Sequence, residues 1–182
     1  VTDDLIENFP KVFTTIMSGA VISPDEKYRY VLWRVWDQGQ DWMTFIMLNP
    51  STADANEDDA TIRRCKRFAR DNDCGGLIVV NLFAYRATQP DDLLQAENPV
   101  GPDNKRWVEN VISMSTGPVV AAWGSWWYSN QSKRHGQAIP RLSVEAIAKK
   151  RGVPLYCLGR TLSLQPRHPL YIPNDQKLEG FL

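Results

Sequence analysis

Histidine and cysteine are scarce in this chain, and the motifs they usually build are missing. The three cysteines, Cys65, Cys74 and Cys157, are odd in number and carry no CxxC spacing. That argues against a disulfide framework, a zinc site or an iron–sulfur cluster, and fits a reducing compartment. No apolar run approaches the roughly 20 residues a bilayer requires, and no signal-peptide pattern opens the sequence. Net charge is zero, from 21 basic and 21 acidic residues, so no global field announces a nucleic acid. A GxGxxG turn, a Walker loop, a GxSxG elbow and an HExxH helix are all absent. The expectation is one cytoplasmic domain over residues 1–182, with no cofactor or bound metal, no membrane contact and no obligate protein partner.

What the chain does hold is aromatic surface and an uneven charge distribution. Seven Trp, six Tyr and six Phe supply a core or a stacking platform. Between Lys133 and Arg167 lie eight basic residues against the single acid Glu145, while acids concentrate in the first hundred residues. A solvated helix face and a nucleic-acid contact both fit that asymmetry.

Hydrophobic periodicity sets out alternating strands and helices. Residues 1–27 read as irregular. "YRYVLWRVW" (28–36) alternates like a half-buried strand, and "DQGQD" turns it into "WMTFIML" (42–48), which predicts a hairpin. Asp58 or Asp59 caps a helix over 60–71 whose apolar face is Ile62, Cys65, Phe68 and Ala69. "LIVVN" (77–81), "PVVAAWG" (118–124) and "PLYCLG" (154–159) read as buried strands. Helices are expected after Pro102, with Trp107, Val108, Val111 and Ile112 inward, and over 141–151. This order implies an α/β layer fold with a mostly parallel sheet and one antiparallel edge strand.

In such sheets ligands bind beyond the carboxyl ends of the strands. The polar segments Asn49-Pro-Ser-Thr, Asn81-Leu-Phe-Ala-Tyr, Trp123-Gly-Ser-Trp and the His168-Pro loop all fall at that edge. Asn49 fits an Asx-turn as well as a site, and Asn81 fits a strand cap as well as a reader of a planar amide-like ligand. His168 stands in an irregular loop with no regular element to pack into, whereas His135 reads as a surface residue. Asp54, Glu57, Asp58 and Asp59 match a magnesium cluster in composition, but they precede a helix, where carboxylates are favoured by the dipole.

Taken in order, "NPST", "LIVVNLFAYRA", "VVAAWGSWW" and "QPRHPLYIP" resemble the motifs of the uracil-DNA glycosylase superfamily, over about residues 45–173. The chain is also similar to a bacterial and phage domain family of unknown function that shares "YRYxLWR", "MLNPSTAD" and "DDxTIRRC", over about residues 20–175. The glycosylase resemblance implies a three-layer α/β/α fold of that type and metal-independent hydrolysis of an N-glycosidic bond in DNA, leaving an abasic site. It implies catalytic roles for Asn49, which positions water, and His168, which donates to the leaving base. It implies that Asn81 reads the base edge; the phenylalanine that stacks on the base in that superfamily is missing from its usual place, and Phe83 or Tyr85 is the expected replacement. Ser51 stands where the uracil-specific branch has an excluding Tyr, so a 5-substituted pyrimidine fits. Leu170, Tyr171 or Ile172 would fill the gap left by the flipped nucleotide; the charge asymmetry, separately from the resemblance, suggests that Lys149, Lys150, Arg151 and Arg167 meet phosphates. Repair and defence against phage DNA with modified bases both suit such an enzyme. A catalytically silent binder of modified or damaged nucleic acid, and an N-glycosidase acting on free nucleosides or nucleotides, remain open at this point.

Overall fold

The computed structural model describes residues 8, 9, 11, 17–51, 53–130 and 140–182. His135 therefore lies outside the described residues. The strands are β1 (Ser18–Ile22), β2 (Arg29–Val35), β3 (Trp42–Met47), β4 (Gly76–Asn81), β5 (Val119–Ala121), β6 (Leu155–Cys157) and β7 (Glu179–Gly180). The helices are α1 (Ala60–Asp71), α2 (Asn104–Met114), the single turn α3 (Trp126–Ser129) and α4 (Pro140–Arg151). Among the described residues two short 3₁₀ turns occupy Pro90–Leu94 and Pro169–Tyr171.

All seven strands join one sheet in the order β1-β2-β4-β3-β5-β6-β7. Its middle, β4-β3-β5-β6, is parallel. Both flanks are antiparallel: β1 on β2, β2 on β4, and β6 on β7. The sheet is therefore mixed, with half of its six pairings antiparallel. This overturns the expected mostly parallel sheet of the glycosylase type with one antiparallel edge strand.

The expected hairpin of 28–36 with 42–48 does not form either, because β4 lies between β2 and β3. The reason is local. Gly75 takes the amide protons of Trp36 and Asp37 on its carbonyl, each at 2.8 Å, and donates its own to Asp41, also at 2.8 Å. The 37–41 turn thus wraps around the start of β4. A Cβ at Gly75 would lie 2.0 Å from the Asp37 carbonyl oxygen, so only glycine permits this approach.

Side-chain alternation sends each strand to both faces of the sheet. Leu32, Met43, Phe45, Leu77, Val79 and Val120 pack with Ile62, Cys65, Phe68 and Ala69 of α1. Val31, Trp33, Ile46, Ile78, Val80 and Val119 pack with Trp107, Val108, Val111 and Ile112 of α2 and with Val144, Ile147 and Ala148 of α4. With both faces covered, β2 is buried along its whole length, including Arg29 and Arg34, rather than half-buried. Among the described residues no helix is long and apolar enough to cross a membrane.

Candidate active site at the carboxyl edge of the sheet

From β3 the chain crosses to β4 on one side, and β5 then returns to the other side of β3. Such a reversal opens a crevice between the carboxyl ends of the two diverging strands. A cavity of about 720 Å³ occupies that place, a volume suited to a small organic ligand. Asn49 and Ser51 reach it from the exit of β3, Asn81 from the end of β4, and Trp123 and Gly124 from the exit of β5. Asp59 and Thr61 border it at the start of α1, and Arg167, His168 and Tyr171 close it from the late loop. Gly124, at φ +71°, donates to the Pro166 carbonyl at 3.0 Å and so ties the β5 exit to the His168 loop.

Asn81 is 1 % exposed, and neither its Oδ1 nor its Nδ2 has a partner. Its backbone carbonyl is held by Asn104 Nδ2 at 3.0 Å, which fixes the residue and leaves the side-chain amide open. An unpaired buried amide costs about 1–3 kcal/mol, so a partner that enters the cavity recovers that energy. Asn49 is oriented the opposite way. Its Nδ2 donates to the carbonyls of Pro50 at 3.0 Å and Ala87 at 2.8 Å, which leaves Oδ1 as its remaining acceptor.

His168 caps the turn Pro169–Tyr171, its Nδ1 accepting from the Leu170 amide at 3.3 Å. In the neutral ring the proton therefore resides on Nε2. Burial holds the His168 pKa below the ordinary histidine value, against the opposing pull of the Asp59 carboxylate. The site thus presents a neutral imidazole that donates from Nε2.

The place of two charged residues in the cavity escapes a reading of the sequence. Arg29, 3 % exposed in β2, donates from Nη1 to the Ala53 carbonyl, while its Nε has no partner. Burial pushes its pKa down to about 10, and Asp59 counters that shift. The signal was two arginines inside the apolar run "YRYVLWRV", since charge in a buried strand is the informative exception. Asp59 is the expected cap of α1, accepting from the Ile62 amide at 2.8 Å, but the same carboxylate borders the cavity.

The neighbouring acids hold the loop before α1. Asp58 lies 2.8 Å from both Arg34 Nε and Lys66 Nζ. Asp54 accepts from the amides of Asn56 and Glu57 at 2.8 and 2.9 Å. Arg34 also donates to the Asp54 carbonyl at 2.7 Å. Among the described residues no His, Cys, Asp and Glu are grouped to hold a metal ion.

Other expected site residues lie elsewhere. Phe83 is fully buried, 4.4 Å from the Trp127 ring, and Tyr85 pairs with Tyr28; neither lines the cavity. The aromatic rings that do are Trp123, Trp126 and Tyr171. Leu170 is half-buried and Ile172 is buried, whereas Tyr171 is exposed at the rim beside exposed Arg167. Next to them a tight hairpin, closed by the Arg160–Pro166 bridge, presents Leu162 and Leu164 to solvent. Lys149, Lys150 and Arg151 end α4, which leads into the start of β6. They therefore sit at the amino edge of the sheet, opposite the cavity. Arg151 and Lys150 meet Glu109 at 2.8 and 3.8 Å.

The model of a family described as a protein of unknown function, DUF1643, matches residues 29–170, and the chain belongs to that family. Neither the curated proteins nor the solved structures contain a match to it.

Proposed function

We propose that this member of the DUF1643 family is a DNA N-glycosylase that releases a 5-substituted pyrimidine flipped out of the helix. The observation that carries this reading is the buried, unpaired amide of Asn81 in a cavity shared with Asn49 and the neutral ring of His168. One donor and one acceptor, coplanar and fixed, complement the edge of a pyrimidine. The order of the four motifs along the chain, which resembles that of the uracil-DNA glycosylase superfamily, supports the same reading.

In this scheme Asn81 reads the base edge and Trp126 offers a stacking face. As the glycosidic bond lengthens, negative charge grows on the pyrimidine O2, and the Nε2–H of His168 meets it. Asn49 Oδ1 accepts a hydrogen bond from the attacking water and orients it toward the sugar. Ser51 leaves room for the 5-substituent. Arg167, Tyr171 and the Leu162–Leu164 tip meet the DNA at the rim. Such an enzyme serves repair or defence against phage DNA with modified bases.

The test is incubation with single- and double-stranded DNAs carrying a panel of modified pyrimidines. Released bases are read by mass spectrometry and abasic sites by alkaline strand cleavage. At least one 5-substituted pyrimidine should be released. Tight binding with no abasic site on any DNA sinks the catalytic reading in favour of a silent binder. Equal turnover of free nucleosides removes DNA as the substrate.

A further inference from the structure

Hydrolysis of a glycosidic bond needs a group that takes a proton from water, and neither assigned residue can do so. An amide is no base, and both Asn49 amide hydrogens are held by backbone carbonyls. The His168 lone pair on Nδ1 already accepts from Leu170, so the ring offers the cavity a donor. Among the described residues lining the cavity, Asp59 is the single carboxylate. Its Oδ1 caps α1, while its Oδ2 has no hydrogen-bond partner among the described residues. Its charge is felt by Arg29 from β2, by His168 from the late loop and by Cys65 nearly two turns further along α1.

Resting on the glycosylase reading, we infer that Asp59 is the general base of the site and the negative charge that stabilises the oxocarbenium-like sugar. Water held at Asn49 gives its proton to Asp59 Oδ2 while its oxygen bonds to the anomeric carbon. The bond from that carbon to the base breaks, and its electron pair leaves with the base, whose O2 is met by His168. The products are an abasic sugar hydroxyl, a protonated Asp59 and the base anion, which regains a proton from solvent. The N-cap and the base are thus one side chain. The cap fixes the carboxylate through Oδ1, and the opposite oxygen remains for chemistry.

The double role makes a clean variant available. Asparagine and serine cap helices about as well as aspartate, so Asp59→Asn and Asp59→Ser keep α1 and lose only the carboxylate. Base release should fall at least about a hundredfold in both, with unchanged thermal unfolding. A second measurement needs no turnover: binding to duplexes with a cationic pyrrolidine abasic mimic against a neutral tetrahydrofuran one. Wild type should prefer the cationic duplex about tenfold or more, because a fixed carboxylate beside the sugar stabilises positive charge there, and Asp59→Asn should lose that preference. Wild-type turnover in Asp59→Asn, or equal wild-type affinity for the two mimics, overturns the assignment. If wild type releases no base from any DNA, the glycosylase reading fails. The mimics still decide Asp59 in that case: lost preference in the variant supports it and retained preference overturns it.

Discussion

Two polar regions of this molecule handle charge and hydrogen-bonding capacity in opposite ways. At the basic end of α4, Arg151 and Lys150 reach solvent and pair with Glu109 on α2. At the carboxyl edge of the sheet, the Asn81 amide and Arg29 Nε are buried without partners, and Asp59 borders the same cavity. Exposed ion pairs contribute about 0–1 kcal/mol, so the α4 end contributes little to stability and loses little when changed. The cavity instead stores unfavourable desolvation, which is released only when something complementary binds. A region that costs stability while empty is the one to interrogate for function.

The largest effect should come from the two residues that face the scissile bond. His168→Ala and Asn49→Ala should each lower kcat by about 10²–10³, the usual loss for one donor to developing charge. DNA affinity should fall much less, because it rests on phosphate contacts and the flipped base. A drop in affinity equal to the drop in kcat would make them binding groups and erase the contrast with ordinary surface polarity.

Asn81 sharpens the comparison further. Replacing its unpaired amide by an apolar side chain removes a buried polar group that gains nothing in the empty protein. Asn81→Leu should raise the unfolding free energy by roughly 1–3 kcal/mol in urea titrations and abolish base release. A destabilised variant would show that the amide is satisfied before any ligand arrives.

Much of this site is legible as sequence because it depends on short-range signals. Asn49, Asn81 and Trp123 each end a run that periodicity marks as a strand, and a parallel layer brings such ends to one edge. The apolar face of α1 follows from the spacing of Ile62, Cys65, Phe68 and Ala69. What escaped depends on distant partners. The insertion of β4 between β2 and β3 is decided by the Gly75 backbone and the 37–41 turn, which no local pattern encodes. β1 opens with Ser-Gly-Ala, whose Gly19 fits beneath the Trp33 ring, and β7 has two residues, too few for any period. Phe83 follows the end of β4 as an expected stacking residue would, yet Trp127 claims it for the core.

A smaller effect separates the two regions by their contact with phosphate. The triple variant Lys149→Ala, Lys150→Ala, Arg151→Ala should leave the salt dependence of DNA binding unchanged, since those residues lie at the amino edge. Arg167→Ala, at the rim of the cavity, should reduce the slope of log affinity against log salt by about one. The reverse pattern, read by fluorescence anisotropy across a salt series, would move the DNA to the other edge of the sheet.

The smallest effect is a pH dependence confined to the cavity. Burial lowers the His168 pKa from its ordinary value of 6.5. Above that value the ring is neutral in both the folded and the unfolded chain, so it adds no pH dependence. As pH falls through it, the unfolded chain takes up the proton first, and folded stability declines until the folded ring is protonated as well. His168→Gln cannot be protonated, so this share of the decline should vanish. The acids whose pKa values lie below the carboxylate norm, Asp25, Asp54, Asp58 and Glu109, titrate far under this window. Urea unfolding at intervals from about pH 7.5 to 5.5 should therefore give wild type the steeper loss of stability with acid. Parallel curves for the two proteins would mean that the imidazole is solvated in the folded chain. His168 would then belong with the exposed charges of α4 rather than with the buried groups of the cavity.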